Sequence, residues 1–69
     1  MTETTVRVDH DSRGWSIVVP DRPEPIVCDT LEDASALARL CASHRRPCEL
    51  VVHDAYHRVL RREYVPLQN

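Results

Sequence analysis

From Thr4 to Asp9 apolar and polar residues alternate, with Val6 and Val8 on one side and Thr5, Arg7 and Asp9 on the other. This is the period of a half-buried strand. Asp11-Ser12-Arg13-Gly14 turns the chain, and Trp15, Ile17 and Val19 then share one face of a second strand, with Ser16 and Val18 opposite. Pro20 ends that strand, and the two together predict a hairpin. Asp21-Arg22-Pro23-Glu24-Pro25 is a stiff polar connection whose prolines disfavour helix and ladder alike. A short third strand is expected at Ile26 to Cys28.

The period changes after Thr30. Ala34, Leu37, Ala38 and Cys41 recur at helical spacing from about Leu31 to Arg45, with Glu32, Ser35 and Arg39 turned away. Thr30 is placed to accept from the backbone N–H three residues on while Asp33 reaches back, which satisfies orphan donors of the first turn. Arg45 and Arg46 complement the dipole at the far end, and Pro47 prevents continuation. Glu49 to His53 reads as a fourth strand, Asp54 to His57 as a tight loop, and Arg58 to about Tyr64 as a fifth strand. The partly apolar tail Val65-Pro66-Leu67-Gln68-Asn69 is expected to pack rather than trail free.

The predicted order is β-β-β-α-β-β in a single small domain over 1–69, with an ordered core of about 4–64. The fold class is α+β, an antiparallel sheet with one helix packed across one face. One helix covers one face only. Val18, and Val51 or Leu50 according to the parity of the fourth strand, then point to a face with nothing from this chain to cover it, and Leu40 lies on the helix flank. A 69-residue domain buries only about 60% of the surface its unfolded chain exposes. Leftover apolar surface in so small a protein therefore predicts association.

Composition narrows the chemistry. All nine basic residues are Arg, which removes a Schiff-base lysine and a Walker lysine, and the single glycine, Gly14, excludes a glycine-rich phosphate cradle. The net charge of −2 divides unevenly, because residues 1–34 carry three Arg against eight acids and residues 35–69 carry six Arg against three. Three cysteines, an odd number, suit a disulfide framework poorly. With neither a signal-like apolar N-terminal run nor an apolar stretch near 18 residues, the chain is expected to be cytoplasmic, reduced and without a membrane partner.

Several motifs resemble a family of short bacterial proteins classed as a domain of unknown function. They are Trp15-Ser16-Ile17 in the second strand, the helix start Asp29-Thr30-Leu31-Glu32-Asp33-Ala34, Ala38-Arg39 within the helix, and Glu49-Leu50-Val51-Val52-His53 before Arg58-Val59. The resemblance spans about residues 6–60 and implies a small sheet-plus-helix module, with no catalytic residues to carry over. One departure matters. The family has an Asp-Gly type turn after the His-containing strand, whereas this chain has Asp54-Ala55-Tyr56-His57, so a wider loop or a shifted register is expected.

Other readings compete for particular residues. Cys41, His44 and Cys48 have the spacing C-x2-H-x3-C, with His53 and His57 nearby, and zinc takes such ligands. Cys41, however, falls on the apolar helix stripe, where a small thiol packs well. Cys28 precedes a helix N-terminus, where the dipole lowers a thiol pKa, yet no orienting histidine is evident. No cofactor is expected. Arg39, Arg45, Arg46, Arg58, Arg61 and Arg62 offer phosphate contacts, but the chain is net acidic and has few aromatics on which to stack bases. The sequence thus predicts a non-enzymatic protein-interaction module, a homodimer that binds an unidentified protein partner. Its candidate surface is Val18, Leu40, Val51, Arg58, Arg61, Arg62, Tyr64 and Leu67. A nucleic-acid-binding accessory protein using the Arg-rich C-terminal half is the alternative.

Overall fold

The computed structural model describes residues 4–67. Among them are five strands and one helix: β1 (Thr4–Asp11), β2 (Gly14–Val18), β3 (Ile26–Cys28), α1 (Leu31–Ser43), β4 (Cys48–His53) and β5 (Val59–Val65). The strands form one sheet in the order β3-β2-β1-β4-β5 with α1 packed on it, an α+β fold.

The sheet is mixed rather than wholly antiparallel. β1 pairs with β2, β2 with β3 and β4 with β5 in antiparallel fashion, but β1 and β4 run parallel, with Val6 opposite Leu50 and Val8 opposite Val52. The reason is the length of α1. Thirteen helical residues rise about 20 Å, enough to carry the chain back across the sheet to the end from which β3 started. β3, α1 and β4 make a crossover unit, the kind of connection that strands running in the same direction require.

Thr30 caps α1 as expected, with extended backbone and its Oγ1 accepting from the Asp33 N–H at 3.1 Å. The helix stops at Ser43, two residues short of the expected Arg45, and His44 is the C-cap. Arg45 still serves the helix end, through its side chain. One guanidinium nitrogen donates to the Cys41 carbonyl at 2.8 Å, while Nε and Nη2 grip the Asp21 carboxylate at 3.0 and 2.9 Å. That clasp ties the proline-rich β2–β3 connection to the helix C-terminus.

The core lies between α1 and one face of the sheet. Val6, Val8, Ile17, Val19, Cys48, Leu50 and Val52 meet Ala34, Ala38 and Ala42, and all are buried. Three alanines on the inner side of α1 let its backbone sit close to the branched side chains of the sheet. Trp15, Ile26, Cys28, Leu37, Cys41 and Val65 pack around the rim. Trp15 stacks on its cross-strand partner His10, ring centroids 4.1 Å apart and nearly parallel.

Candidate functional site

The sheet face turned away from α1 carries three cross-strand rows. Thr5, Glu49 and Tyr64 form the first, and Val18, Arg7, Val51 and Arg62 the second. The third runs Val27, Ser16, Asp9, His53 and Val59, with Asp9 and His53 one step beyond the Val8–Val52 pair. Parity is thus resolved: Val51 belongs to this open face and Leu50 to the core. Val51 is nevertheless only 5% exposed. It lies in register between Arg7 and Arg62, whose long aliphatic stems are suited to covering a valine while their charged ends reach water.

Polar groups close much of the remaining open face. Arg7 Nε donates to Asp9 Oδ2 at 2.8 Å, and Arg62 Nε lies 4.0 Å from Glu49 Oε1. His53 Nδ1 is 3.2 Å from Asp9 Oδ1, at an angle that leaves the buried nitrogen without a hydrogen bond. Ser16 Oγ, beside Asp9 in register, is also buried and unpaired. Arg7, Asp9, His53 and His57 line an open concavity of about 310 Å³. Arg7 and the two histidines offer N–H donors to an anion while Asp9 offers acceptors only, and none of the four is a hydroxyl or thiol. Sequence reasoning missed this cluster because it exists only through the parallel β1–β4 pairing.

Exposed apolar surface concentrates instead on the β5 side. Val59, Leu60 and Tyr64 are 49, 54 and 55% exposed, and Leu67 just beyond the strand is more so. α1 lies over β1, β2, β3 and β4, and β5 stands outside its main cover. β5 is also a sheet edge, with no strand on its far side among the described residues. The opposite edge, β3, has three residues and lies close to Pro23 and Pro25. Of the sequence-predicted surface, Arg61, Arg62, Tyr64 and Leu67 thus gather on or beside one edge strand, with Arg58 at its start. Val18 and Val51 sit on the open face, and Leu40 is exposed on α1. The tail is described as far as Leu67: Val65 packs on the core while Pro66 and Leu67 are exposed, and Gln68 and Asn69 lie outside the described residues.

The β4–β5 loop answers the question raised by the missing glycine. The Asp54 backbone N–H donates to the Arg58 carbonyl at 2.9 Å across Ala55, Tyr56 and His57, and His57 adopts φ +64°. Asp54 Oδ1 accepts from the Tyr56 and Arg58 N–H groups at 2.8 and 2.9 Å. Both the wider loop and the shifted register are present, since β4 and β5 slip by one residue between Val52 and His53.

The arginines are largely paired with carboxylates. Arg58 Nε donates to Asp54 Oδ2 at 2.8 Å and its guanidinium lies over the Tyr56 ring. Arg39 makes a two-nitrogen clasp on Glu63 at 3.0 and 3.3 Å, and Arg61 approaches the same carboxylate at 3.5 Å. The hydrogen bond from Arg39, more than the neighbouring positive charges, holds the Glu63 carboxyl below its usual pKa. Among the described residues, no three His, Cys, Asp or Glu side chains are grouped to hold a metal, so Cys41, His44 and Cys48 do not assemble a site. Cys28 departs from the expectation of a dipole-lowered thiol. Burial, followed by the charges of Asp33 and Asp29, pushes its pKa up.

Comparison of the chain with protein-family models, curated proteins and solved structures finds no match. No described helix is long and apolar enough to cross a membrane.

Proposed function

We propose that this chain is a small protein-interaction module that works as a homodimer, with the β5 side of its sheet as the contact surface. One observation carries the reading: β5 is an edge strand that lies outside the main cover of α1 and holds Val59, Leu60 and Tyr64 half in water. Unpaired strand edges with apolar neighbours are ready templates for another strand.

Nucleic-acid binding is the weaker proposal. Arg39, Arg58, Arg61 and Arg62 each have a carboxylate within 4.0 Å, so the positive charge they offer a phosphate is already partly offset. The test is sedimentation equilibrium over a wide concentration range. The reading predicts a concentration-dependent species of twice the 8.0 kDa protomer mass. A monomer at every concentration, together with salt-sensitive retention on immobilised RNA or DNA, contradicts it and favours the alternative.

A further inference from the structure

Resting on that reading, we infer that the partner at β5 is a second copy of β5, paired antiparallel about a two-fold axis through Arg62, so that two sheets join into one of ten strands. The β5 sequence supplies the register. Arg61 and Glu63 are two residues apart on the same side of the strand, in register with Val52 and Leu50 respectively, on the face that α1 packs against. An antiparallel pair centred on Arg62 puts each Arg61 opposite the partner's Glu63, and sets Leu60 level with the partner's Tyr64.

A two-fold axis perpendicular to the sheet keeps each residue on its own face, so the centre must fall on a residue and not between two. Centring on Arg61 or on Glu63 instead puts like charges face to face on the α1 side without the reciprocal Arg–Glu pairs. Centring on Arg62 brings two arginines together on the open face, but each already has the Glu49 carboxylate of its own chain 4.0 Å away. Cross-strand pairs of opposite charge stabilise such ladders and like pairs oppose them.

Charged residues on an edge strand commonly serve to repel other strands. An edge of one sign sets like charges opposite each other in every register of a second copy. β5 presents both signs on one side at a spacing of two, which is self-complementary under this symmetry. The strand has no proline between Val59 and Val65, so it retains a full set of backbone donors for a new ladder.

The test is a charge-swap mixing experiment followed by sedimentation equilibrium. Arg61→Glu places two carboxylates opposite each other at both paired positions. Glu63→Arg, carried together with Arg39→Glu so that the intrachain ion pair is reversed and not lost, places two guanidinium groups there. Each variant alone is expected to dimerise about tenfold or more weakly than the parent chain, and a one-to-one mixture to recover dimers, because both pairs become Glu–Arg again.

Far-UV circular dichroism of each variant confirms that it is folded. A parent chain that dimerises while Arg61→Glu dimerises equally well overturns the β5 pairing and leaves the homodimer reading standing. So do two weakened variants that fail to recover on mixing. A parent chain that is monomeric throughout overturns the reading itself.

Discussion

His57 occupies in the β4–β5 turn the place that Gly14 occupies in the β1–β2 turn. Each follows, three residues on, an aspartate whose Oδ1 accepts a backbone N–H two residues ahead, Asp11 from Arg13 and Asp54 from Tyr56, both at 2.8 Å. Each has positive φ, +120° at Gly14 and +64° at His57. The left-handed region costs a side chain about 1–2 kcal/mol, and glycine's extra unfolded-state freedom returns about half of that. His57→Gly is therefore expected to stabilise the domain by about 0.5–1 kcal/mol in urea unfolding. Gly14→Ala does the opposite. Its Cβ meets the Cys28 carbonyl oxygen at 2.7 Å, a backbone atom with little room to move, so a loss of about 2 kcal/mol or more is expected.

The same two aspartates predict the response to acid. Asp11 is held below its usual pKa first by the Arg13 backbone N–H, and Asp54 by that of Arg58. A carboxyl lowered in the folded state stabilises it fully above the unfolded pKa, near 4, and that contribution disappears as pH falls through it to the lowered value. Thermal midpoints should drop on acidification through this range. Asp54→Asn should start lower at neutral pH and lose less over the same interval. An unchanged pH profile in that variant contradicts the role given to Asp54.

Cys28 should behave as a protected thiol. Its pKa is raised chiefly by burial, so the folded chain holds less thiolate there than an ordinary cysteine at the same pH. Peptide-resolved alkylation at pH 8 is expected to label Cys28 more slowly in the folded chain than in urea. Faster labelling in the folded state would show that the helix dipole prevails over burial.

Arg45 should matter more than a surface arginine. It is 23% exposed, grips both Asp21 oxygens and donates to the Cys41 carbonyl, so one side chain closes the helix end and fixes the β2–β3 connection. Arg45→Lys retains the charge but loses the forked geometry. Arg45→Ala is expected to cost about 1–2 kcal/mol and Arg45→Lys about half of that, read from denaturant midpoints.

The element order was legible because its signals are local. Alternation in β1 and β2, the Thr30 cap and the helical spacing of Ala34, Ala38 and Cys41 each lie within a few residues. The parallel β1–β4 pairing was not legible, since it depends on where a crossover helix delivers the chain. With it went the Asp9–His53 approach and the concavity they line with Arg7 and His57. The helix end was read two residues long because Arg45 acts through its side chain across space, which no window of sequence reveals. Parity in the sequence left the open face to either Val51 or Leu50, and the β1–β4 register resolves it to Val51. Its near-complete burial there depends on neighbours in two other strands. The arginines and Tyr64 of β5 were legible as surface residues, but their gathering on a free edge needed the strand order.

Amide hydrogen exchange of β5 at two protein concentrations tests the central claim most directly. At high concentration the outward-facing amides between Val59 and Val65 should exchange markedly more slowly than in dilute solution, while those of β3, at the other edge, keep one rate throughout. Equal β5 rates at both concentrations, or protection that grows at β3 instead, would contradict it.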